Sequence, residues 1–92
     1  MKSAQAHLLI EGRVQGVFYR AFTRNLAAKL GLNGWVRNLY DGRVEAVMEG
    51  KRELIEQAIG ECWKGPAGSS VRNIDIQWED PPEEYEGFEV RY

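Results

Sequence analysis

The sequence holds one cysteine, Cys62, and one histidine, His7, among 92 residues. A lone cysteine forms no internal disulfide. One cysteine and one histidine also leave an all-protein zinc site without its usual ligands, so no metal and no other cofactor is expected. Nor is there a basic excess: 12 lysines and arginines stand against 14 acidic residues, a formal net charge of −2. A chain that wraps nucleic-acid phosphates carries such an excess or a basic stripe. Any anion site here must therefore be local, and no nucleic-acid partner is expected. No window approaches ~20 consecutive apolar residues, so nothing is expected to span a membrane. The opening Met1-Lys2-Ser3-Ala4-Gln5-Ala6 has no apolar core long enough for a signal peptide, which makes the cytoplasm the default location.

The composition is that of an ordinary globular chain: 43% hydrophobic and 28% charged, with three tryptophans, four tyrosines and three phenylalanines. The length suits one domain over 1–92 and is short for two cores. A monomer is the default expectation. Cys62 falls at helical spacing with Ile55 and Ile59, which reads as core filling rather than as a reactive thiol.

The chain is organised around Gly12-Arg13-Val14-Gln15-Gly16-Val17-Phe18-Tyr19-Arg20. The apolar run His7-Leu8-Leu9-Ile10 leads into it, and Phe18, Phe22, Leu26 and Leu30 lead out at a spacing of four. This reads as a strand-to-helix turn. Gly16 permits a positive φ and close approach of a ligand to the backbone. The N–H groups of Gln15, Gly16, Val17, Phe18 and Tyr19 then converge with the Arg20 guanidinium on an anion site, most simply a phosphate site. A cation in the first helical turn meets the positive end of the helix dipole. It makes sense there if an anion joins it. Without the arginine, a plain turn would be the better reading.

The remaining elements follow in order. A first strand is predicted over 7–14 and a helix over 18–30, stopped by Gly31 with Leu32 behind it in a Schellman arrangement. Asn33-Gly34 reads as a turn and 35–39 as a second strand. Asp41-Gly42 is a hairpin signal, and Val44, Ala46 and Met48 alternate along a third strand with Glu45, Val47 and Glu49 on its other face. Gly50 breaks that strand. A second helix is predicted over 51–63, with Ile55, Ala58, Ile59 and Cys62 inward and Leu54 and Trp63 widening the face; Gly60 weakens its last turn. Lys64 to Ser70 is a breaker-rich loop. Ile74, Ile76 and Trp78 point inward from a strand over 71–79. Asp80-Pro81-Pro82-Glu83-Glu84 is a turn that no strand or helix crosses, and Phe88, Val90 and Tyr92 share one face of a terminal strand. Trp35, Trp78 and Phe88 are expected in the core. The order β-α-β-β-α-β plus a short terminal strand predicts an α+β, ferredoxin-like split βαβ: two helices on one face of a mostly antiparallel sheet.

On these motifs the chain resembles the acylphosphatase family along nearly its full length. The residues that carry the resemblance are Gly12 to Arg20, Gly34-Trp35-Val36-Arg37-Asn38, Asp41-Gly42-Arg43-Val44-Glu45, Gly65-Pro66 and the closing Phe88, Val90, Tyr92 alternation. Tyr19 stands where the family pattern commonly has phenylalanine. The resemblance implies a small, monomeric, metal-independent enzyme that hydrolyses carboxyl-phosphate anhydrides of small molecules. It further implies that Arg20 binds the phosphoryl group and that Asn38 orients the attacking water. On residue type alone Asn38 would be an ordinary strand-end asparagine, but an amide can hold a water by donating and accepting without adding charge.

No serine, cysteine or histidine is placed near the loop as a nucleophile with its base, and no carboxylate pair lies near it for magnesium. What remains is positioning and electrostatics, which serves phosphoryl transfer when the leaving group is a carboxylate. No general base is visible, so the substrate's own oxygens are expected to take the proton. Arg13, Arg37 and Arg43 either widen the positive field or solvate the rim. Two other function classes share this layout. One is a phosphate-binding regulatory domain without turnover. The other is an RRM-like RNA-binding module, although Val44-Glu45-Ala46-Val47-Met48 offers none of that module's aromatics.

Overall fold

Alternation along the strands decides which side of the sheet is covered. In the computed structural model, which describes residues 3–79 and 85–92, the chain runs β1 (Ser3–Arg13), α1 (Tyr19–Leu30), β2 (Asn33–Asn38), β3 (Val44–Lys51), α2 (Arg52–Lys64), β4 (Ser70–Glu79) and β5 (Phe88–Arg91). The turn expected at Asp80-Pro81-Pro82-Glu83-Glu84 lies outside the described residues. The strands form one sheet in the order β4-β1-β3-β2-β5. All pairings are antiparallel except that of β2 with β5. Ala6, Leu8 and Ile10 of β1 lie opposite Met48, Ala46 and Val44 of β3, and all six are fully buried. Ile55, Ala58, Ile59 and Cys62 of α2 and Tyr19, Thr23 and Ala27 of α1 close over this face. The expected α+β ferredoxin-like arrangement is the one observed.

The buried stripe of α1 differs from the expected one by a residue. Phe18 is 84% exposed and sits outside the helix in the left-handed region, φ 62°, ψ 26°. Burial falls instead on Tyr19, Thr23 and Ala27, with Leu26 and Leu30 packed at the margin. The physical reason is that both polar side chains bring partners inward. The Tyr19 hydroxyl donates to the Cys62 carbonyl at 2.6 Å, and Thr23 Oγ1 donates to the Tyr19 carbonyl at 2.9 Å. Buried hydroxyls are tolerated once they are bonded. Phe22 is half-buried and tilts against the Tyr19 ring at 5.8 Å. The predicted Schellman stop is present: Leu32 N–H bonds Ala27 O at 2.8 Å, Gly31 N–H bonds Ala28 O at 3.3 Å, and Leu32 is buried. Cys62 is fully buried, and burial pushes its thiol up to about 12, so it stays protonated as core filling.

Other expectations shift at element ends. Asn33-Gly34 is no turn; both residues belong to β2. Gly34 is required there because a Cβ would come within 1.9 Å of the Val47 carbonyl oxygen, at φ 135°. Gly50 does not break β3 but pairs with Ala4 within it. Trp63 is 44% exposed rather than inward, and Ile76, although on the helix-covered face, is 42% exposed because β4 is an edge strand. Trp78 and Phe88 pack against the core partly buried. Trp35 is buried on the opposite face of the sheet, beneath the guanidinium groups of Arg37 and Arg91, 5.5 and 4.7 Å from its ring centre.

Candidate active site

Near its end β1 carries a bulge between Glu11 and Gly12, where its register with β4 shifts, and it stays paired with β4 through Arg13. The bulge bends the end of the strand, and the chain leaves the sheet after Arg13. Val14 is buried and pins the segment that follows, while Gly16 takes φ 76° as the sequence anticipated. Gln15, Gly16, Val17 and Phe18 lie in neither strand nor helix, and none of their N–H groups donates to a backbone carbonyl among the described residues. Phe18 is the N-cap of α1 and makes no side-chain cap, so Tyr19 and Arg20 add the unpaired N–H groups of a helix start. The backbone N–H groups of Gln15 to Phe18 thus have no backbone acceptor among the described residues; Gly16, Phe18 and Tyr19 line one cleft with Arg20, whereas Gln15 and Val17 do not.

The Gln15 side chain has a second duty that the sequence does not reveal. Its Nε2 donates to the carbonyls of Leu39 at 2.7 Å and Arg43 at 2.9 Å. These are the two ends of the β2–β3 hairpin, which is closed by Leu39 N–H to Arg43 O at 2.8 Å and tightened by Gly42 N–H to Leu39 O at 3.2 Å. One amide thus fastens the loop to the hairpin that carries Asn38.

Arg20 and Asn38 line one cleft of about 290 Å³ with Gly16, Phe18, Tyr19 and Arg24. No carboxylate of the described residues lies within ion-pairing distance of Arg20. Its Nη1 instead reaches the Arg91 carbonyl at a long 3.4 Å, and its Cζ stands 4.8 Å from the Tyr92 ring centre. The first turn of α1 has no acidic residue either, so the cation adds to the helix's own positive end. Asn38 is half-buried, and its Oδ1 is buried with no donor in reach among the described residues. Such an orphaned acceptor costs about 1–3 kcal/mol until a donor reaches it.

The remaining arginines are accounted for differently. Arg37 Nε pairs with Glu45 Oε1 at 2.6 Å, and Arg43 Nη2 pairs with Asp41 Oδ2 at 2.7 Å. Neither lines the cleft with Arg20. Hydrogen bonds from Arg43 hold the Asp41 carboxyl below its usual range, so that pair belongs to the hairpin turn. His7 bonds Glu45 at 2.6 Å on the open sheet face. Among the described residues no group of three His, Cys, Asp or Glu side chains is placed to hold a metal ion, and no helix is long and apolar enough to cross a membrane. Val14, Ala21, Arg24, Val90 and Tyr92 also line the cleft, which the motif alone does not indicate. A signal for Arg24 was available, since it lies one helical turn beyond Arg20.

The acylphosphatase family profile matches residues 6–90. Among relatives, an acylphosphatase of Roseiflexus sp. is 49% identical over 98% of this chain and 97% of its own length. One from Pelotomaculum thermopropionicum is 44% identical over the whole of both chains. The crystal structure of acylphosphatase from Bacillus subtilis superposes with a TM-score of 0.95 at 34% identity, covering 97% of this chain and 99% of that one. With a profile match over most of its length and relatives this similar end to end, the chain belongs to the acylphosphatase family of hydrolases.

Proposed function

We propose that this protein hydrolyses small-molecule acyl phosphates to a carboxylate and inorganic phosphate at the cleft shared by Arg20 and Asn38. The observation that carries the reading is that cleft. Among the described residues, it brings a guanidinium without a carboxylate partner and the backbone of Gly16, Phe18 and Tyr19 together with an asparagine whose amide oxygen lacks a donor. Arg20 exchanges its long contact with the Arg91 carbonyl for two phosphoryl oxygens, which its planar fork can hold together. The N–H groups of Gln15, Gly16, Val17, Phe18 and Tyr19 take up the remaining equatorial charge. A small turn about χ2 brings Asn38 Oδ1 to the cleft, where a water donates to it and is held for in-line attack.

The water oxygen then bonds to phosphorus. The bond from phosphorus to the acyl oxygen breaks, and its electron pair leaves with the carboxylate. The water's proton passes to a phosphoryl oxygen. A carboxylate leaves readily and the charge is met by Arg20 and the loop, so this chemistry calls on neither a metal nor an organic cofactor. One domain acting as a monomer in the cytoplasm suffices for it.

The test is hydrolysis of acetyl phosphate in the presence of EDTA by the wild type and Arg20→Ala. Turnover by the wild type is expected, with KM raised roughly 100-fold in the variant, because charge-assisted hydrogen bonds to the phosphoryl group are lost. No turnover by a folded wild type that still binds phosphate would instead favour an anion-binding regulatory domain. Near wild-type kinetics in Arg20→Ala would remove that residue from the site.

A further inference from the structure

A second, larger groove of about 620 Å³ adjoins the phosphate cleft, lined by Gln15, Arg37, Asn38, Leu39, Tyr40 and Tyr92. Asn38 and Tyr92 belong to both, so the two form one continuous depression with the asparagine at the junction. Its volume lies within the ~300–1,000 Å³ usual for small-molecule sites. Two of its walls are aromatic rings that pack against nothing in the core. Tyr40 and Tyr92 are fully solvent-exposed. Tyr40 also stands in the hairpin turn beside Asp41 and Gly42, where small polar residues are the usual occupants.

Some of the polar groups at this groove are already engaged. The Gln15 amide is bonded to the carbonyls of Leu39 and Arg43, and Arg37 is paired with Glu45. What the groove offers an occupant is aromatic and aliphatic surface from Tyr40, Tyr92 and Leu39, beside the polar groups of Asn38 and the remaining N–H groups of Arg37.

We infer that this groove is the acyl subsite, and that Tyr40 with Tyr92 makes the protein selective for acyl phosphates with a flat, aromatic acyl group. The inference rests on the hydrolytic reading above. With the phosphoryl group held at Arg20 and the breaking bond beside Asn38, the acyl portion leaves the cleft across Asn38 and enters the groove. An aryl group then lies against the open face of Tyr40. An acetyl group is too short to reach it.

The experiment compares kcat/KM for benzoyl phosphate and acetyl phosphate in the wild type, Tyr40→Ala and Tyr40→Phe. Inhibition by inorganic phosphate is measured on each protein. Taking the ratio of the two substrates within each protein, and comparing ratios, cancels their different intrinsic reactivities. The benzoyl-to-acetyl ratio is expected to fall about tenfold in Tyr40→Ala, the scale of a lost apolar pocket contact, and to be kept in Tyr40→Phe. An unchanged ratio in Tyr40→Ala overturns the inference and leaves the hydrolytic reading intact. A matching weakening of phosphate inhibition also overturns it, because Tyr40 would then act at the phosphoryl end. Absence of hydrolysis of either substrate by the wild type would overturn both readings.

Discussion

Phe18 is the non-glycine residue of the described chain that takes a positive φ, and it sits at the hinge between loop and helix. A left-handed conformation in a bulky residue costs about 1–3 kcal/mol. Its ring is 84% exposed, so packing returns little of that cost. The strain persists because Val14 before it and Tyr19 after it are both buried and fix the two ends of the turn. Phe18→Gly is accordingly expected to raise stability by up to about 1 kcal/mol, after allowing for the greater freedom of glycine in the unfolded chain. Urea denaturation measures this, and a lowered midpoint would show that the exposed ring contributes more than the strain removes. The same geometry explains why the residue that points into the core is Tyr19. Its hydroxyl is bonded to the Cys62 carbonyl, and burial raises the phenol far above its ordinary pKa, so it stays neutral at any physiological pH.

At the level of elements, the site depends on two segments meeting: the loop from β1 to α1, and the hairpin from β2 to β3. The Gln15 amide is the fastening between them. Its removal leaves the carbonyls of Leu39 and Arg43 with their hairpin donors, so Gln15→Ala should cost only about 1 kcal/mol of stability. Turnover should fall roughly tenfold or more, because Asn38 is no longer held in register with the loop. A thermal melt together with kcat separates the two effects. A fall in Tm with unchanged kcat would make the amide purely structural.

This coupling also marks the limit of what the sequence makes legible. Gly12, Gly16 and Arg20 announce a strand-to-helix turn able to hold an anion, and Asp41-Gly42 announces the hairpin, because both signals are local backbone requirements. Contacts between Gln15 and the hairpin span 24 and 28 residues and have no local trace. The buried stripe of α1 lies one residue away from the one hydrophobic spacing predicts, for a related reason. Hydrophobic spacing favoured Phe18 and Phe22, whereas burial of Tyr19 and Thr23 depends on acceptors, one of them on the other helix. Asn33-Gly34 misled in the opposite sense. A dipeptide typical of turns lies inside β2 because Gly34 must pass close to the Val47 carbonyl.

Across the whole molecule, the sheet face away from the helices carries a network of its own. Gln5 Nε2 donates to Glu49 Oε2 at 3.0 Å, and both residues are buried. Glu45 is held between His7 and Arg37. Burial raises the Glu45 pKa, but the hydrogen bonds from His7 and Arg37 outweigh it, so the carboxyl ends below its usual value. The sign of the linkage follows. A depressed folded-state pKa stabilises the fold at pH above the unfolded value, and that stabilisation is lost as pH falls through the folded one. Glu45→Gln should therefore lower Tm at pH 7 and flatten its decline below about pH 5. Parallel Tm curves for wild type and variant would contradict this.

The same molecule places Asn38 where β2 ends and Arg20 where α1 begins, both lining one cleft. The central claim is that Arg20 binds the phosphoryl group and Asn38 holds the water, and it is tested most directly by kcat of Asn38→Ala on benzoyl phosphate, with phosphate affinity measured on the same sample. The account predicts a fall in kcat of about 100-fold or more with phosphate affinity close to that of the wild type. Retained turnover, or a loss of phosphate affinity that matches the loss of rate, would contradict it.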